Sequence, residues 1–161
     1  MDQRTRTITW HDPLEMAAAI GELSGLERMR RVIAGELAPP PIAQLMNIRL
    51  VEADEGRAVF EGEPEEYHYN PIGMVHGGFA ATILDSAMGC AVHTALPARV
   101  AYTTLEIKVN FVRPVKTSTG VVRAVGTVLH AGRTTSLAEG RLVAADGTLY
   151  AHASTTCLIF R

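Results

Sequence analysis

Asn70-Pro71-Ile72-Gly73-Met74-Val75-His76-Gly77-Gly78-Phe79-Ala80-Ala81-Thr82-Ile83-Leu84-Asp85-Ser86-Ala87-Met88-Gly89-Cys90-Ala91-Val92-His93 is the stretch on which the reading of this chain turns. The run from Phe79 to Val92 is too long for an ordinary strand, has no proline and is almost wholly apolar or small, which predicts a helix packed on nearly all sides. Asp85 falls in its middle. A carboxylate ionised among Ile83, Leu84, Ala87 and Met88 is costly without compensation, and burial there predicts a raised pKa. Immediately upstream, His76-Gly77-Gly78 sets two small residues where a helix start exposes unpaired N–H groups and the positive end of its dipole. A developing anion can be held there.

Working outward, the segment before the helix reads as strand, turn, strand: Ile48 to Glu52, then Asp54-Glu55-Gly56, then Arg57 to Glu61. An acid-, tyrosine- and proline-rich loop from Glu63 to Gly73 leads to the glycine pair. After Pro97 four strands are predicted, Thr103 to Val112, Gly120 to Leu129, Thr134 to Ala144 and Thr148 to Ile159, broken at Arg113-Pro114, Ala131-Gly132 and Asp146-Gly147. Residues 1–41 form a separate helical arm. Its apolar positions Leu23, Leu26, Met29, Val32 and Ile33 recur at helical spacing, Asp12-Pro13 suits a helix start, and Gly21 with Ser24-Gly25 divides two helices. Pro39-Pro40-Pro41 is expected to end helical structure as a stiff connector. The arm's role is not encoded in a motif; covering a sheet face or the mouth of a site is the expectation.

At 161 residues the chain suits one core, and 47% hydrophobic with 20% charged residues is ordinary for a soluble globular protein. Net charge is -2 with no long basic run, which argues against nucleic acid or an anionic membrane as partner. The basic cluster Arg28, Arg30 and Arg31 reads as the solvated face of a helix. No window is long and apolar enough for a membrane span, and the amino terminus lacks the apolar core of a secretory signal. Cys90 and Cys157 have no CxxC partner and are expected to be reduced core thiols, so a cytoplasmic location is expected. The six histidines show no HExxH or close pair at ligand spacing, and no metal is assigned.

A hairpin, one buried helix and a run of antiparallel strands imply an α+β architecture in which a sheet curls around the helix. The motif Asn-Pro-x-Gly-x-Val-His-Gly-Gly from Asn70, an aspartate nine residues after the histidine, and strands starting near Thr103-Thr104 and ending at Arg113-Pro114 resemble the PaaI-like branch of the hotdog-fold acyl-CoA thioesterases. The resemblance covers about residues 45 to 160, so residues 42–161 are expected to form the hotdog domain and the arm lies outside it. It implies an acyl-CoA substrate, coenzyme A leaving as the thiol product, no separate cofactor, and an active site shared across a homodimer, often within a dimer of dimers (a homotetramer).

Thioester hydrolysis requires an activated water or nucleophile on one side of the carbonyl and oxyanion donors on the other. Asp85 can supply the first, as general base or by direct attack, and the N–H groups of Gly77 or Gly78 the second. Asp85 could instead brace a neighbouring element. Gly78 and Asp85 stand roughly 10 Å apart along the axis, so a second subunit supplies one of the two elements more easily than a single chain does. By the resemblance, Asn70 and His76 match residues that orient the thioester or water, although His76 could equally brace its loop and Asn70 form a turn. Thr104, or Thr103 if the register slips, matches a water-positioning hydroxyl. Gly132-Arg133-Thr134-Thr135 matches the turn where relatives hold coenzyme A. Phe111 and Phe79 could line the acyl pocket or simply fill the core. Two other readings use the same scaffold: a non-catalytic acyl-CoA binding or sensing module, and a hotdog dehydratase or hydratase, whose acid and histidine are usually spaced differently.

Overall fold

The computed structural model describes residues 2–15 and 21–160. Its elements in order are α1 (Gly25–Ile33), α2 (Pro41–Met46), β1 (Ile48–Asp54), β2 (Arg57–Gly62), α3 (Gly77–Thr94), β3 (Ala101–Phe111), β4 (Val122–Ala131), β5 (Thr135–Ala144) and β6 (Leu149–Phe160), with short 3-10 turns at Glu66–His68 and Thr117–Thr119. All six strands join one antiparallel sheet in the order β1-β2-β4-β5-β6-β3. The strands alternate between core and solvent: along β5, Ser136, Ala138, Gly140 and Leu142 are buried while Thr135, Leu137 and Arg141 are exposed. One face is therefore apolar, and α3 lies across it.

Phe79, Ile83, Leu84, Met88 and Val92 of α3 are almost wholly buried against that face, each contributing about 2 kcal/mol by removal of apolar surface from water. The helix reaches the sheet because β4 carries Gly126: a Cβ there would stand 2.3 Å from the carbonyl oxygen of Ala87. This is the hotdog arrangement, with the central helix in the concavity of the sheet. The sheet ends on β3, which pairs only with β6 among the described strands and leaves its other edge open over eleven residues.

Three expectations need correction. The central helix is not packed on nearly all sides, because Ala81, Thr82, Asp85, Ser86 and Cys90 form a partly exposed stripe where small and polar side chains leave the helix uncovered. Pro41 does not end helical structure. It starts α2, since the first helical position needs no N–H donor. The basic cluster of the arm is divided: Arg30 and Arg31 are exposed, whereas Arg28 is half-buried and turns toward the core.

The arm is tied to the body of the protein. Ser24 caps α1 in a reciprocal box with Glu27, and the next residue, Gly25, donates its N–H to the Leu96 carbonyl at 3.0 Å. Farther upstream, Arg6 donates to the carbonyls of Gln44 and Leu45 and stacks over the Tyr67 ring at 4.0 Å. The part of the expected first arm helix at residues 16–20 lies outside the described residues.

Candidate active site

Asp85 is half-buried in the middle of α3, less enclosed than its apolar neighbours imply. Its Oδ1 accepts a hydrogen bond from the Thr104 hydroxyl at 2.9 Å. A bulge lies just past Thr104: Thr104 pairs with Cys157 and Glu106 with Thr156, so Leu105 is an extra residue pushed to solvent, and the less exposed positions change from Tyr102 and Thr104 before it to Ile107 and Val109 after it. Thr103 is exposed on the other face. Of the two registers open in the sequence, the bulged strand selects Thr104.

His76 is the N-cap of α3, and its Nδ1 accepts the Gly78 N–H at 2.8 Å. That donor is thereby occupied in this conformation. The Gly77 N–H has no protein acceptor among the described residues, which leaves it as the candidate oxyanion donor. A Cβ on Gly77 would meet the Phe111 ring at 3.1 Å, so glycine is what allows that ring to cover the helix start. Phe111 is 59% exposed and belongs to this opening rather than to the core. Phe79, by contrast, is a core residue at 2% exposure.

Asn70 shapes the loop beneath. Its Oδ1 accepts from the N–H groups of Ile72 and Met74, both at 3.1 Å. With Met74, His76, Gly77, Phe111 and Arg113 it borders a cavity of about 340 Å³ at the amino-terminal end of α3.

Gly132, Arg133 and Thr134 form the β4–β5 turn, and Thr135 opens β5. Thr135 pairs with Leu158, which pairs in turn with Thr103, so this turn lies toward the Thr104 end of β3, away from Phe111 and Gly77. A single chain thus separates its candidate groups. Asp85 and Thr104 meet, Gly77 and Phe111 meet farther along the helix, and the Gly132–Thr135 segment stands two strands over.

Residues not assigned to the site from the sequence lie near the carboxylate. Tyr102 precedes Thr104 by two positions and points to the same face of β3, a period-2 relation that could have flagged it. Burial, then the nearby Cys90, Cys157 and Asp85, hold the Tyr102 phenol well above its ordinary pKa. Burial and the Asp85 charge push the Cys90 thiol up to about 12. Cys157 is likewise raised, mainly by burial. The carboxylate therefore has neutral neighbours: a hydroxyl, a phenol and two protonated thiols. Among the described residues no three His, Cys, Asp or Glu side chains converge as a metal site would require.

A single curled sheet holding a central helix, with a hydroxyl-held carboxylate in that helix, defines a hotdog-type α+β protein. A profile described as the thioesterase superfamily matches residues 72–151. Human acyl-coenzyme A thioesterase 13 is 30% identical over 108 residues, spanning 62% of this chain and 76% of that one. A candidate esterase of Halobacterium salinarum is 42% identical over 69 residues, 42% of this chain, and the match spans 44% of that relative's length. In three dimensions the PaaI protein of the E. coli phenylacetic acid degradation operon superposes with a TM-score of 0.74 at 20% identity, covering 86% of this chain and 96% of that one. The chain belongs to the thioesterase superfamily, with the PaaI-like hotdog fold.

Proposed function

We propose that this protein hydrolyses acyl-CoA thioesters to the free acid and coenzyme A, with Asp85 as the catalytic carboxylate. The observation that carries this reading is the Thr104 hydroxyl bonded to Asp85 at 2.9 Å within a half-open stripe of the central helix. Thr104 holds one carboxylate oxygen and fixes the plane of the group. The carboxylate then either takes a proton from water as that water attacks the thioester carbon, or attacks the carbon itself to form an anhydride that water opens. In both routes the carbonyl oxygen becomes an oxyanion, stabilised by an N–H at the positive end of a helix.

Gly77 and Asp85 are eight residues apart, which places them roughly 12 Å from each other along one helix. A single thioester cannot span both. Two copies joined through the open edge of β3 would bring the Gly77 of one beside the Asp85 of the other, and pairing would also cover an eleven-residue strand edge. The active unit is accordingly a homodimer, with further association into a dimer of dimers. His76 holds the Gly78 N–H and so shapes the donor end; Asn70 shapes the loop that carries it. The exposed Arg133, on the Gly132–Thr135 turn, offers its charge to the nucleotide phosphates, with Thr134 and Thr135 beside it.

The test is thiol release from a panel of aliphatic and aromatic acyl-CoAs by the native chain and by Asp85→Asn. Native turnover of at least one substrate, lost by roughly three orders of magnitude or more in a folded Asp85→Asn protein, is the expected result. Binding of coenzyme A esters with no thiol release by the native chain would instead favour a sensing module.

A further inference from the structure

Cys157 stands behind the contact between Thr104 and Asp85. It lies on β6, is buried at 0% exposure and is a free thiol. The register of the sheet sets it directly opposite Thr104 on β3. Residues opposed in this way share a face and hold their Cβ atoms about 4.5–5.5 Å apart, so thiol and hydroxyl are neighbours across the two strands. Thr155, two residues earlier on β6, is the next hydroxyl on that face, and Ser136 is the residue opposite Cys157 on β5. Burial raises the pKa of the thiol, and hydrogen bonding with the Thr104 and Thr155 hydroxyls draws it partly back.

The direction of these bonds follows from where the protons go. Each hydroxyl carries one. Thr104 gives its proton to Asp85 Oδ1 at 2.9 Å, Thr155 to the Glu106 carbonyl at 2.7 Å and Ser136 to the His130 carbonyl at 2.8 Å. None of the three is left to donate to sulfur. The protonated thiol is therefore the donor of the group, and the Thr104 oxygen is the acceptor set opposite it. We infer that Cys157 is a positioning residue for the reaction: its S–H donates to Thr104 Oγ1 and so turns the single Thr104 proton onto the Asp85 carboxylate. The inference rests on the thioesterase reading above for the role of Asp85. Successive donors polarise one another, so Thr104 holds the carboxylate more strongly with the thiol behind it than alone. Cysteine suits this place because it packs as a small apolar side chain in the core while keeping a weak donor.

The first readout is the S–H stretching band in the infrared, which lies clear of other protein bands and needs no turnover. The Cys157 band is the one absent from Cys157→Ser. In Thr104→Val, which removes the acceptor, it is expected to move to the higher frequency of a free thiol. An unmoved band would overturn the inference. The second readout is steady-state thiol release. Cys157→Ala is expected to lower kcat roughly fivefold with KM changed less than about twofold, and Cys157→Ser, which restores a donor, to return kcat to within about twofold of native. In the Thr104→Val background, Cys157→Ala should cost less than about twofold more, because the two side chains act as one unit. Native kinetics in Cys157→Ala, equal losses in the alanine and serine variants, or a full Cys157→Ala loss on top of Thr104→Val would each contradict the positioning role. If Cys157→Ala does not fold, the band shift decides alone. Absence of thiol release from every acyl-CoA would sink the thioesterase reading instead, and the band shift then decides whether Cys157 orients Thr104.

Discussion

At the scale of single residues, the decisive contact is between Thr104 and Asp85. Hydrogen bonds to charged groups contribute about 1.5–3 kcal/mol, and a tenfold rate change corresponds to about 1.4 kcal/mol. Thr104→Val is therefore expected to lower kcat by roughly tenfold or more, with Thr104→Ser recovering most of it, as measured by steady-state thiol release. Asp85, Gly77 and His76 were legible in the sequence because an acid in an apolar helix and a glycine pair at its start are both unusual. The pairing of His76 with the Gly78 N–H was not legible: which of two adjacent donors a cap occupies depends on the side-chain torsion of the cap. Tyr102 was missed for a different reason, since an aromatic residue in a strand ordinarily signals core packing.

Among elements, the contact between α3 and the sheet divides the glycines by what lies opposite them. At Gly126 a Cβ would meet the backbone of Ala87 at 2.3 Å, and neither partner can move without separating strand from helix. Gly126→Ala is expected to destabilise the fold by about 3 kcal/mol, measured as a shift of the urea midpoint. At Gly77 the opposing atoms belong to the exposed Phe111 ring, which can swing aside. Gly77→Ala should leave the urea midpoint nearly unchanged while reducing turnover, because it displaces Phe111 at the oxyanion end. Element order and most boundaries could be read from turn residues and alternation. The start of α2 could not, because a triple proline is compatible both with an extended connector and with a helix whose first residue is Pro41.

Across the whole molecule, His93 joins arm and body. It is 8% exposed, packed near Tyr102 with ring centroids 5.3 Å apart, and burial followed by the nearby Arg28 charge lowers its pKa to about 4. Unfolding returns the group to its ordinary value of about 6.5, so between these pH values the unfolded chain binds a proton that the folded chain does not. The stability linked to His93 is thus full above about pH 6.5 and is lost as pH falls toward 4, a change of about 3 kcal/mol. Urea midpoints at pH 7 and pH 4.5 should differ in the native protein, and His93→Gln should flatten that difference. The open β3 edge makes a second prediction at this scale: sedimentation of the full chain should give a mass of two copies or a multiple of two, and a monomer active at native rates would refute the shared site.

The architecture and the identity of the candidate carboxylate were readable from residue order alone, because hydrophobic period, turn chemistry and the cost of an acid among apolar residues are local properties. The sequence also carried the motif from Asn70 to Asp85 that marks the superfamily. That Thr104 rather than Thr103 meets Asp85 came from the folded chain, since the bulge at Leu105 puts the less exposed side chains at even positions before it, Tyr102 and Thr104, and at odd positions after it, Ile107 and Val109, so alternation counted back from the second half would have chosen Thr103. The tertiary structure alone decided that Arg28 leaves the solvated face of its helix to line a cavity near Tyr102, because the direction of α1 is set by the bond of Gly25 to the Leu96 carbonyl just past the end of α3 and not by any pattern within the arm.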